Sequence, residues 1–94
     1  MQYKPDFGPR AVERLWQVNP RLGWRILDAV DELCERPAEL SKRFYFPHGR
    51  DYQGYETRIM DGGVEYLLRV IFHYATDETT LLIADLVVIP LGTN

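Results

Sequence analysis

A chain of 94 residues, 46% apolar and 27% charged, can bury one modest core and is not composed like a disordered segment. Its only cysteine, Cys34, excludes an intrachain disulfide framework and a cysteine-built zinc site. The net charge of −3 is uneven: residues 1–50 hold nine Lys/Arg against seven Asp/Glu, residues 51–94 two against seven, so any nucleic-acid contact must be a local patch rather than a bulk basic surface.

The longest apolar stretch, Leu81 to Leu91, is interrupted by Asp85 and Pro90 and is shorter than the roughly 18–20 residues of a membrane helix. No charged-then-apolar segment opens the sequence, so the cytoplasm is the expected compartment. With no repeat, low-complexity tract or long linker, a single domain over residues 1–94 is expected.

In chain order, Met1 to Phe7 alternates weakly around Pro5, which cannot donate to a ladder; a strand here belongs at an edge. Gly8-Pro9 starts a first short helix, proline standing where a missing N–H costs nothing. Its expected apolar stripe is Ala11, Val12, Leu15 and Trp16. Asn19-Pro20 caps and starts a second helix. In it Leu22, Ile26, Ala29, Val30 and Leu33 recur at the spacing of one buried face, with Arg25, Asp28, Glu32 and Arg36 opposite, until Pro37 ends it. Two helices with almost no loop between them are expected to fold back as an antiparallel hairpin. Cys34 reads as core filler.

Residues 38–53 look irregular, and Lys42 to Tyr52 interleaves basic and aromatic side chains. That composition suits single-stranded RNA, although Phe44 and Phe46 equally suit a cap over the core. His48 has no second histidine or cysteine nearby, so no metal or other cofactor is expected. Three strand-like runs follow: Tyr55 to Met60, closed by the tight-turn signal Asp61-Gly62-Gly63, then Val64 to Tyr74, then Thr80 to Ile89. Helices first and strands afterwards give an α+β class: an N-terminal helical hairpin packed on an antiparallel sheet, with a short N-terminal edge strand.

This order, with "ELCERP" closing the helices, "YETRI", a glycine turn, "YLLRVIFHY" and "TTLLIADLVVI", resembles the RelE/ParE/HigB toxin superfamily along nearly the whole chain. The resemblance implies the toxin of a toxin–antitoxin pair, with a small antitoxin partner, and either of two activities. One is a metal-independent RelE/HigB-type endoribonuclease acting on mRNA at the ribosome. The other is a non-catalytic, protein-binding member, either a ParE-like toxin directed at DNA gyrase or a degenerate toxin. By position, Arg58 and Arg69 match the basic residues of the family's two strands. The last segment, Pro90-Leu91-Gly92-Thr93-Asn94, departs from the pattern and offers no acid, base or aromatic where the family commonly completes its chemistry.

If Gly62 and Gly63 are the two central turn residues, Arg58 pairs with Leu67 and Glu56 with Arg69, and directly paired residues share a face. Glu56, Arg58, Glu65, Arg69 and His73 then emerge on one side; Val64, Tyr66, Leu68, Val70, Phe72 and Tyr74 emerge on the other, towards the helices. A one-residue slip would reverse this. On that polar side Arg69 and Arg58 are the candidate phosphate clamps, against the alternative that Arg69 merely pairs with Glu56. His73 is the candidate acid or base, against the alternative of a packed strand histidine. Lys42, Arg43, Arg50 and Tyr52 are the candidate RNA-binding residues. Asp85, in an apolar strand, is either a buried partner for an arginine or turned to water.

Overall fold

The computed structural model describes residues 2–44 and 52–93. Strand β1 (Lys4–Phe7) leads into helix α1 (Pro9–Gln17), helix α2 (Pro20–Glu35), the single turn α3 (Pro37–Leu40) and the short strand β2 (Lys42–Phe44); three long strands follow, β3 (Tyr52–Asp61), β4 (Val64–Tyr74) and β5 (Thr80–Thr93). The sheet order is β1-β5-β4-β3-β2. Strands β2 to β5 run antiparallel, but β1 pairs with β5 in parallel, Lys4 opposite Thr80 and Phe7 opposite Ile83. The expected antiparallel sheet is therefore mixed, because the helices carry the chain from β1 to the opposite edge at β2 and the antiparallel strands then bring β5 back beside β1 in its own direction. The irregular stretch expected at 38–53 is partly ordered: Pro37 opens α3, and β2 pairs with the start of β3.

Helix α1 begins where β1 meets β5. The Gly8 amide donates to the Ile83 carbonyl at 2.9 Å, and a Cβ at Gly8 would stand 3.3 Å from that oxygen, so the close approach favours glycine. Helix α2 is capped as expected, the Asn19 Oδ1 accepting from the Leu22 amide at 2.9 Å. Its predicted stripe is buried, together with Cys34. These side chains meet Leu68, Val70 and Phe72 of β4, Leu81, Ile83 and Leu86 of β5, and Tyr55 of β3 to form the core. Among the described residues no helix is long and apolar enough to cross a membrane.

The helical pair packs on one face of the sheet, α1 over β5 and α2 over β3. Of α1's expected stripe only Ala11 is fully buried; Leu15 is half-buried, Val12 is exposed, and Trp16 is 82% exposed. Nine residues give α1 little more than two turns, and Ala11, with Leu15 packed beside it, is its contribution to the core. The tryptophan at the far end is left outside.

Strand β5 carries two irregularities. The partner of Ile71 is Asp85 while that of Phe72 is Ile83, so Ala84 is an extra residue; Leu91 is a second, between Gly92 opposite Glu65 and Pro90 opposite Tyr66. An extra residue shifts the inside–outside alternation by one. Leu81 and Ile83 point inwards before the first bulge and Leu86, not Asp85, after it. The carboxylate of Asp85 meets Arg14 of α1 at 3.6 Å and accepts from the Leu86 amide at 2.8 Å, so it has an arginine beside it but at the surface rather than buried.

At the other end of the sheet β2 reaches only as far as Gly54. In a two-residue hairpin the pair flanking the turn exchanges hydrogen bonds, and bonded pairs then alternate along the ladder. With Asp61 opposite Val64, the backbone groups of Glu56, Arg58 and Met60 point away from β4, towards an edge that no described strand occupies.

Candidate functional site

The β3–β4 hairpin has the register its turn predicts. Gly62 and Gly63 hold φ values of 58° and 79°, the left-handed pair such a turn demands. Arg58 stands opposite Leu67 and Glu56 opposite Arg69. Leu68, Val70 and Phe72 are buried against the helices, so the alternate residues Leu67, Arg69, Ile71 and His73 of β4 lie on the other side of the sheet, with Glu56 and Arg58 of β3. The two arginines thus share the outer face, on which the helices do not pack.

Neither guanidinium is isolated. Arg69 donates through Nε at 2.7 Å and Nη2 at 2.5 Å to one oxygen of Glu56, directly across the ladder. Arg58 donates through Nη1 at 3.1 Å to Glu65, a diagonal neighbour. The Arg58 side chain is 74% exposed and that of Arg69 37%. Exposed pairs of this kind contribute about 0–1 kcal/mol, so each glutamate neutralises its arginine without binding it tightly. Arg58 and Arg69 are themselves diagonal neighbours, with Cβ atoms about 7–8 Å apart in an antiparallel ladder.

His73 lies four residues beyond Arg69 along β4, a rise of about 13 Å, and Ile71 stands between them. It packs edge-on against Tyr52, with ring centroids 5.6 Å apart and planes at 90°. The candidate residues therefore form two clusters: an arginine–glutamate quartet of Glu56, Arg58, Glu65 and Arg69, and the Tyr52–His73 ring pair. Lys42 is exposed opposite Gly54, on the same outer face by the alternation of β3. Arg43 takes the alternate register position, opposite Gln53. Arg50 lies outside the described residues.

The quartet can hold an anion if the glutamates yield, and the ring pair offers a stacking edge and an imidazole. Beside them the row Leu67–Ile89 and the neighbouring Val87 give the β4–β5 half of the face an apolar surface, with Ile89 42% exposed. Among the described residues no group of three or more His, Cys, Asp or Glu could hold a metal ion.

Sequence reasoning did not single out the exposed tryptophans. Both of the chain's tryptophans, Trp16 and Trp24, stand outside the core. The period placing Leu22 and Ile26 inside already puts Trp24 on the opposite side of α2; Trp16 gave no such signal, because α1 is too short to define its own face.

No protein-family model matches the chain, and no curated protein matches it by sequence. Its structure is similar to one chain of the toxin–antitoxin complex RelBE2 of Mycobacterium tuberculosis, with a TM-score of 0.67 and 17% sequence identity over 92% of this chain and 96% of that one. The chain has the RelE-like α+β fold that its sequence resembles.

Proposed function

We propose that the protein is the toxin-type component of a toxin–antitoxin pair and that the open sheet face is its working surface. The observation carrying this reading is the placement of Arg58 and Arg69 as diagonal neighbours on the one sheet face free of helices, in a fold shared with a chain of a toxin–antitoxin complex. A small partner protein that covers this face would silence it.

On the RelE/HigB-type reading, the face engages RNA. Arg69 and Arg58 hold one phosphate after exchanging their glutamates for it, while Tyr52 and His73, about 13 Å along β4, meet a neighbouring nucleotide, Tyr52 stacking on its base. Guanidinium suits the first task because its planar fork matches a phosphate and stabilises charge as the bond breaks. Expressed alone, the chain should arrest growth, and Arg69→Ala should relieve the arrest without unfolding the protein. Wild-type expression that leaves growth unchanged at every level would overturn the toxin reading.

A protein-directed activity is favoured by a different observation: both arginines are neutralised by glutamates, and Leu67, Val87 and Ile89 flank them. A neutral, partly apolar face suits a protein surface better than a polyanion. Capture with the full chain separates the readings, ribosomes supporting the RNase and a topoisomerase such as DNA gyrase supporting the protein-directed toxin.

A further inference from the structure

The helical side of the molecule carries a second feature that the sheet face does not explain. Val12, Leu15 and Trp16 of α1 and Pro20, Gly23, Trp24 and Leu27 of α2 line a groove of about 440 Å³. Trp16 is 82% exposed and Trp24 68%. An aromatic of this size buries about 150–250 Å² when covered, and two of them in one groove form an unpartnered apolar face.

At its floor is Gly23, in the interior of α2. Glycine there costs about 0.5–1 kcal/mol relative to alanine, and no described residue calls for it. A Cβ would meet only a Val18 methyl group at 3.9 Å, an ordinary contact. A glycine that its own fold does not need, on the floor of an exposed groove, leaves room for a neighbouring molecule to come close.

We propose that this groove is a self-association surface, through which a second copy of the chain pairs about a two-fold axis passing near Gly23 and Trp24. Crossing α2 antiparallel over its copy at this point sets Trp24 beside Trp24 and Gly23 beside Gly23, the glycines letting the two backbones come close while the rings pack next to them, as a two-fold interface requires. The charges along α2 agree with this direction. Exposed Arg21 stands one turn before the stripe's centre and exposed Asp28 one turn after it. Both lie on the same flank of the stripe Pro20–Trp24–Leu27, so an antiparallel crossing brings Arg21 of one copy to Asp28 of the other, twice. Arg21 is available for this: its contact with Asp61 is 3.9 Å long and its side chain 78% exposed. Four tryptophans, with Val12, Pro20 and Leu27 of both copies, approach the roughly 1,200 Å² at which specific interfaces begin.

The test is sedimentation equilibrium of the full chain from low micromolar to millimolar concentration, followed in parallel by tryptophan emission, which reports only Trp16 and Trp24. The expected result is a monomer–dimer equilibrium with a blue shift that tracks dimer formation. Trp24→Glu and Gly23→Leu should each weaken the dimer by about 30-fold or more, the scale of a central interface residue, while circular dichroism shows an intact fold. Asp28→Arg should weaken it as well, and adding Arg21→Asp should restore it. A wild-type chain that stays monomeric throughout overturns the proposal. So does a dimer indifferent to Trp24→Glu and Gly23→Leu, or a groove filled by a different protein in place of the second copy.

Discussion

If the outer face binds a nucleic-acid backbone, Glu56 and Glu65 compete with it, and removing them should strengthen binding. Glu56 takes two donors of Arg69 on one carboxylate oxygen, and Glu65 takes one from Arg58. A phosphate approaching either arginine must break that contact first. Exposed pairs of this type are worth about 0.2–1 kcal/mol, so releasing one arginine should tighten binding by about 1.4–5-fold. The isosteric changes Glu56→Gln and Glu65→Gln preserve the strand and remove the charge. Each phosphate newly engaged should also steepen the salt dependence by about 0.7 in log K against log salt for a single strand. Fluorescence anisotropy of a short labelled single-stranded RNA, measured over a salt series, reads both quantities. Tighter binding and a steeper slope in the glutamine variants, both lost on adding Arg69→Ala, are expected. Unchanged affinity in Glu56→Gln/Glu65→Gln would refute the role of the arginines as phosphate ligands and leave the protein-directed reading.

Two further outcomes follow from the helices. Asn19→Ala removes the side-chain cap of α2 and should cost about 1 kcal/mol, lowering the melting temperature by about 4–8 °C for a chain of this size; Asn19→Ser, which can cap, should hold it, and equal melting of all three proteins would contradict the capping geometry. Burial first, and the nearby Asp31 second, push the Cys34 thiol up to about 11, so at pH 8 the native thiol should react with a disulfide reagent far more slowly than in denaturant. By linkage this group favours the native state fully below the unfolded thiol value and less as pH climbs from there towards 11, a loss that Cys34→Ala should remove from the alkaline stability profile.

The parts of the molecule legible in the sequence are those fixed by short-range chemistry. Asp61-Gly62-Gly63 admits one turn geometry, and that turn set the register, which set the face of Arg58, Arg69 and His73 at one stroke. Asn19 with the three- and four-residue recurrence of Leu22, Ile26, Val30 and Leu33 did the same for α2. What escaped depends on contacts distant in the chain. The face of Asp85 turns on the bulge at Ala84, which no local composition signals. The parallel docking of β1 on β5 joins residues about 76 positions apart. Trp16 falls in the apolar stripe of α1 by spacing, yet the member the fold fully buries is the smaller Ala11.

The edge of β3 beyond Gly54, which no described strand occupies, bears on solubility. A bare row of backbone donors and acceptors can template the addition of foreign strands, and natural sheets blunt such rows with charge. Here the residues whose amides and carbonyls face that edge include Glu56 and Arg58, each held in an ion pair on the sheet surface. A strand adding itself there would crowd and desolvate these charges. The same pairs that modulate the polar face therefore also discourage runaway strand addition, so exchanging both for valine would convert a guarded border into a nucleus for aggregation.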